Sequence, residues 1–187
     1  MRDPPAPPPT FLEALAAIAP DLYAWAHLRL RGALRNRLEP AELVQEVAVR
    51  ACLKQHTFDA GLGNFRGWLF GIANRVWLET LRELARDPLS CPRRLGGDTV
   101  LAEVLDSVTP ITQRIAAQDG LRAAMARLDE LEPEDRQLLG LIGIEGLGHA
   151  EVAAILGIAV DASRKRWQRL RERLRGDRDL AAWLLDR

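Results

Sequence analysis

The stretch that decides the fold runs from residue 148 to 175, GHAEVAAILGIAVDASRKRWQRLRERLR. Val152, Ala153, Ile155 and Leu156 recur at helical spacing and predict a short helix with one buried side. Gly148 stands at its N-cap, with Glu151 three residues on in the position of a capping-box acid. Gly157 supplies the left-handed residue that ends a helix, Ile158 fills the angle, and Asp161 is placed to cap the next helix. A short capped helix, a turn built on Gly and a second helix make the helix-turn-helix pattern. Ala153 is small where the two helices must cross closely.

The second helix ends in arginines. Its last twelve residues carry seven Lys or Arg and a single acid, Glu172, whereas the whole chain is formally neutral. On a helical wheel Ser163, Trp167, Leu170 and Leu174 share one face, to be buried by the Trp and the two leucines. Asp161, Lys165, Gln168 and Glu172 lie opposite, flanked by Arg164, Arg169 and Arg175. Long cations with an amide among them suit phosphate clamping and base-edge contacts in a major groove. A solvated basic helix is the plain alternative, and the turn ahead of it favours DNA. Residues 129–151 hold seven acids and one Arg, which nearly cancels the basic helix. Those acids either face a basic protein partner or are simply solvated.

Composition bounds the rest. The chain has 187 residues, 48% of them hydrophobic, which suits one medium domain or two small ones. Ala, Leu, Arg and Glu dominate, all good helix formers, and strand alternation is missing, so the fold class is all-α. No run approaches eighteen apolar residues, so no membrane insertion is expected. The N-terminal MRDPPAPPPT lacks the apolar core of a secretory signal, which predicts a cytoplasmic, reduced protein. Cys52 and Cys91 sit in no metal-ligand spacing, and Cys52 reads as a buried free thiol. His27, His56 and His149 are isolated, and no catalytic, metal or phosphate-loop pattern is present. Neither enzyme activity, cofactor nor metal is expected.

Along the chain, residues 1–10 form a proline-rich tail. Helical periodicity starts at Phe11, with Pro20 expected to break or kink it. A second helix is predicted from Pro40 to Lys54, with Leu43, Val44, Val47 and Ala51 as its stripe. After the Gly-containing loop HTFDAGLGN, a third runs from Phe65 to Arg86, burying Trp68, Leu69, Ile72, Val76, Leu78 and Leu81. Residues 87–111 carry three prolines and a Gly pair and read as a flexible linker with one short helical turn at 100–105. Helices resume at 112–130, 133–144, 148–156 and 161–175. Two small helical domains result, 11–86 and 112–176, followed by a short tail, 177–187, in which Leu180, Trp183 and Leu184 can dock.

These segments, in this order, resemble one family. The stretch from 148 to 175 is similar to the DNA-reading domain of bacterial sigma factors of the extracytoplasmic-function (ECF) type, and LRAAMARLDELEPEDRQLLGLIGIEGL to that domain's lead-in. EPAELVQEVAVRACLK resembles the helix that docks on the polymerase clamp. TFDAGLGNFRGWLFGIANRVWLETLRE resembles the promoter-melting segment. The resemblance covers residues 11–86 and 113–175. It implies an alternative sigma factor that binds core RNA polymerase and promoter DNA, with an anti-sigma factor as the usual further partner.

By that resemblance Glu42, Leu43, Gln45 and Glu46 face the polymerase. The loop from Gln55 to Asn64 receives flipped bases of the minus-ten element, and Asn64, Arg66, Asn74 and Arg75 hold the unpaired strand, with Trp77 as a stacking platform. Asp161, Arg164, Lys165, Gln168 and Arg169 read the minus-thirty-five element. Trp68 and Phe70 are expected in the core. The sequence departs from the family pattern at several points. Ser163 stands where Val is usual, Asp161 and Ala162 replace a small residue and Thr, and Gly148 replaces a capping Ser. Asn74-Arg75 inverts the usual order, and Glu83 replaces a basic residue. Two other readings fit less of the chain: a stand-alone helix-turn-helix regulator, and a sigma-like adaptor that does not melt DNA.

Overall fold

A computed structural model of the chain describes residues 10–86 and 99–177, which form eight helices and no strand among the described residues. Helix α1, Phe11–Arg29, starts at a capping box in which the Thr10 hydroxyl accepts from Glu13 N and the Glu13 carboxylate accepts from Thr10 N at 2.6 Å. It continues through Pro20 without a break. The carbonyl that Pro20 leaves without a donor belongs to the exposed Ala16, where water can take it. Helix α2, Pro40–Leu53, opens with Pro in its first turn and the Glu42 carboxylate accepting from Glu39 N at 3.0 Å. Helix α3, Phe65–Arg86, follows Asn64, whose side-chain oxygen accepts from Gly67 N at 2.7 Å. The three helices bury Leu15, Leu22, Leu43, Val47, Leu69 and Val76 between them.

Helix α4 spans Thr99–Ala116 and packs along α2 and α1. Residues 99–111 of the segment read as linker are therefore helical, and residues 87–98 lie outside the described residues. Val108, Thr112 and Ile115 are buried at four- and three-residue steps, which is what holds the helix down. Pro110 sits on its exposed side, so the lost hydrogen bond costs little. The single helix expected at 112–130 is two, broken at 117–118, with α5 at Asp119–Asp129.

Helix α6, Pro133–Leu138, runs on into a π-type stretch, Leu139–Ile144, where Glu145 N donates to Gly140 O at 2.9 Å. Gly143 makes room there: a Cβ on it would lie 3.0 Å from the Trp167 ring. Gly146, at φ +76°, ends the stretch. Helix α7, His149–Leu156, has Gly148 N donating to Glu151 at 2.9 Å and ends at Gly157 with φ +65°, as the sequence predicts. Helix α8, Val160–Arg175, begins one residue before Asp161, so Asp161 lies within the first turn and does not cap it.

Two other expectations fail for the same reason. Leu78 is 50% exposed and Ile155 is 59% exposed, each one step off the buried face of its helix. On α3 the buried set is Leu69, Phe70, Ile72, Ala73, Val76, Trp77, Thr80 and Leu84. Phe70 is in the core as expected, Trp68 packs half-buried against Phe11, Phe58 and Phe65, and Cys52 is a buried free thiol. Leu180, Trp183 and Leu184 lie outside the described residues. Leu69, fully buried where α3 meets its neighbours, should be among the costliest truncations. Leu69→Ala is expected to destabilise the chain by about 2–5 kcal/mol, read as a lower midpoint in urea unfolding.

Candidate nucleic-acid interface

Helix α8 packs against α7 and α6, with Ser163, Leu170 and Leu174 buried and Trp167 half-buried beside Gly143. Ser163 is the polar member of that face, and its hydroxyl meets His149 Nδ1 at 3.0 Å. A buried hydroxyl without a partner would cost more than its packing returns, so His149 is what makes Ser tolerable in this position. Arg164, Lys165, Gln168 and Arg169 are exposed on the opposite side. Asp161 is exposed too and pairs with Arg164 at 3.1 Å, and Gln168 donates to Glu172 at 3.1 Å. Arg166 and Arg173 turn inward to Glu134 and Asp135 on α6. Glu134 and Asp135, two of the acids ahead of the basic helix, are thus partnered within the chain.

The residues assigned to the minus-ten strand divide into two groups. Asn64 and Arg75 are exposed. Arg66, Asn74 and Trp77 instead face the C-terminal helices. Arg66 pairs with the buried Asp21 and donates to Ile144 O, with its guanidinium 5.2 Å above the Phe70 ring. Trp77 is buried against the inter-module cleft, so in this arrangement it offers no stacking face. Phe58 ties the Gln55–Asn64 loop to Phe65 and Trp68, with ring centroids 5.4 and 5.6 Å apart, while Leu62 at its tip is exposed.

Glu145 is the centre of this contact, with 5% of its side chain exposed. Its Oε1 accepts from Arg29 at 2.7 Å and from Trp25 Nε1 at 3.1 Å, and its Oε2 accepts from Asn74 Nδ2 at 3.2 Å. Neither Trp25, Arg29 nor Glu145 is marked by the sequence reading. The signal that was available is a lone acid in the apolar, Gly-rich run LGLIGIEGLG, 139–148. Beside this contact, a cleft of about 570 Å³ opens between the modules, lined in part by Trp25, Arg29, Trp77 and Arg136.

A second inter-module contact lies at Asp129. It accepts from Arg31 at 3.0 Å and Arg35 at 3.2 Å, and from His27 Nε2 at 3.1 Å. Arg35 Nη2 also lies 2.8 Å from both His27 Nδ1 and His27 Nε2, against the edge of the ring. Burial pushes the His27 pKa below 6.5, and Arg35 and Arg31 add to that against the opposing pull of Asp129. Burial works against the Asp129 charge, yet His27 and Arg35 hold its carboxyl below its ordinary 3.8.

The stripe of α2 expected to face a polymerase is only partly open. Leu43 is buried in the core and presents nothing outward, a correction to the sequence reading. Gln45 donates to Thr109 of α4 at 3.0 Å, Glu46 holds Arg50 at 2.7 Å, and Glu42 is engaged at its helix start. Burial raises the Glu46 carboxyl, against the pull of Arg50.

The described residues define an all-helical protein in which a turn at Gly157 precedes an arginine-faced helix. The chain belongs to the ECF sigma factor family, whose profile matches residues 15–179. It is 30% identical over 171 residues to the ECF RNA polymerase sigma factor SigE of Mycolicibacterium smegmatis, an alignment that covers 89% of this chain and 61% of that protein. The chain thus spans less than two thirds of the length of that relative. It is 32% identical over 162 residues to the ECF RNA polymerase sigma factor EcfG of Rhodopseudomonas palustris, covering 87% and 81%. Among solved structures it is similar to the sigma factor RpoE of Bartonella quintana, crystallised with the anti-sigma factor NepR, with 26% identity, coverage of 95% and 98%, and a TM-score of 0.44. No helix among the described residues is long and apolar enough to cross a membrane.

The Asp129 contact sets a pH dependence. A His whose folded pKa is lowered binds its proton more readily once the contact opens, so docking is at full strength above 6.5 and weakens as pH falls toward the folded value. The Asp129 contribution persists until pH drops below 3.8. The radius of gyration from small-angle scattering should therefore rise as pH is lowered from about 7.5 to about 5.5, and His27→Asn should flatten that change.

Proposed function

We propose that this chain is an alternative sigma factor that binds core RNA polymerase and directs promoter-specific initiation by recognising and melting promoter DNA. The observation that carries the reading is α8. Its Ser163–Leu170–Leu174 side is buried, so Arg164, Lys165, Gln168 and Arg169 are presented together on an exposed face. These residues, with Asp161 trimming the charge at the helix start, read the minus-thirty-five element. Asn64, Arg66, Asn74 and Arg75 hold the unpaired minus-ten strand, and Trp77 becomes a stacking platform only when the modules separate. Glu42, Gln45 and Glu46 dock on the polymerase.

Strand separation in this scheme comes from trapping unpaired bases, and the catalytic chemistry belongs to the polymerase. The chain then acts in the cytoplasm, where its polymerase is, and an anti-sigma factor is the partner that family membership suggests. Formal neutrality fits this role, because a protein that meets DNA as part of polymerase needs no strong field of its own. Its affinity for duplex alone should be weak and fall by about 0.9 log units per phosphate contact for each decade of salt.

The test is capture of core RNA polymerase by the purified chain, followed by permanganate footprinting on promoter fragments from the same genome. Capture with reactive thymines near the start site is the expected result. Gln45→Ala should lower capture, whereas Lys165→Ala should leave capture intact and reduce promoter occupancy by about 1–3 kcal/mol equivalent, roughly 5- to 150-fold. Duplex binding without polymerase capture would replace this reading with a stand-alone regulator. Capture without permanganate reactivity would leave the sigma-like adaptor.

A further inference from the structure

Three donors from the N-terminal module converge on one carboxylate of the C-terminal module. Trp25 Nε1, the Arg29 guanidinium and Asn74 Nδ2 all point to Glu145, and the Asn74 oxygen is itself turned to Arg29 at 3.4 Å. The set offers a fixed positive charge and two neutral N–H donors, which is the chemistry of an oxyanion site. Nothing in the core requires it, because the aromatic packing of Trp25 against Phe70 needs no anion. Asn74 also stands directly before the exposed Arg75 on α3, so the site continues the path assigned to the unpaired strand.

We infer that Trp25, Arg29 and Asn74 form a binding site for a phosphodiester group of the separated promoter strand, and that Glu145 is its internal occupant. The inference rests on the promoter-melting role proposed above. The carboxylate takes the place of a phosphate: one negative charge with two acceptor oxygens, 2.7 to 3.2 Å from the same donors. With Glu145 seated, the strand cannot enter. With Glu145 withdrawn, Arg29 loses its anion and the site gains affinity for another. Internal occupant and external ligand then exclude each other, and removing the first must strengthen the second by the free energy that couples them.

The experiment uses the full chain and a fluorescent mixed-sequence single-stranded DNA of about 12 nucleotides, titrated at several salt concentrations. Glu145→Gln keeps the side-chain volume and removes the charge. It is expected to bind the oligonucleotide between about 5- and 150-fold more tightly than the native chain. Adding Arg29→Ala should abolish that gain and reduce the slope of log affinity against log salt by about 0.7, the value for one phosphate that is no longer neutralised.

If the Glu145 cluster is only a clasp, Arg29→Ala should by itself raise strand binding, because it opens the modules as well as Glu145→Gln does. That result overturns the inference, as does Glu145→Gln with unchanged affinity and an increased radius of gyration. Should Glu145→Gln fail to unfold cooperatively, Arg29→Ala in the reconstituted holoenzyme decides: the inference requires native polymerase capture with permanganate reactivity reduced. Undiminished reactivity with native capture overturns the phosphate site and leaves the sigma factor reading standing. Loss of polymerase capture by the native chain removes that reading itself.

Discussion

A carboxylate withdrawn from water must find its compensation in the protein, and in this chain Glu145 finds it across the boundary between the two modules. Burying the charge unpaired would cost several kcal/mol, and removing one partner from such a set costs about 3–5 kcal/mol. Arg29 and Trp25 come from α1 and Asn74 from α3, so the carboxylate fixes the C-terminal module against two helices at once. The π-type stretch makes this possible. By closing a wider ring onto Gly140, it turns Glu145 back toward α1 while Gly140 itself approaches Leu28. Arg66, bridging Asp21 and Ile144 O, repeats the same connection nearer the start of α3.

Charge balance along the chain reflects these contacts. The acids of residues 129–151 offset the arginines of α8 in sum, yet the pairs that form are divided between two surfaces. Glu134 and Asp135 take Arg166 and Arg173 of α8, whereas Asp129 and Glu145 take Arg31, Arg35 and Arg29 of the other module. The first set trims the basic helix to its outward face. The second holds the modules together. Pairs as exposed as Arg166–Glu134 contribute little to stability, so their effect is on where the positive charge is displayed.

The helices of the fold were legible because their signals are local. Capping at Gly148 and Glu151, the left-handed Gly157 and the spacing of Leu170 and Leu174 need only neighbours in sequence. The first part of α4 reads as linker because its segment carries three prolines and a Gly pair, although Val108 and Ile115 carry the helical period and Pro110 falls on the wet side. Leu78 and Ile155 show the opposite error, an apolar residue counted into a stripe that its angle excludes. At the site, the exposed face of α8 could be read from a wheel. The engagement of Asn74 with Glu145 and of Arg66 with Ile144 O could not, since these partners lie 71 and 78 residues away. Only the isolation of Glu145 among apolar neighbours hinted at a long-range partner.

The same docked arrangement covers both surfaces to which a role has been assigned. α4 lies along α2 and takes up Gln45 through Thr109, while the segment ending at Glu145 covers Asn74 and Arg66. α4 is joined to α5 by two residues, so a partner that displaces α4 from α2 also pulls on the module that carries Glu145. On the proposed roles, docking on α2 and opening of the α1–α3 face share one covalent path. Coupling of this kind is reciprocal: whatever favours the open face for a DNA strand favours the bare α2 for its protein partner to the same extent. The His27–Asp129 contact sits at the C-terminal end of α5, the next point along that path, and adds to the Glu145 and Arg66 contacts that opening must break.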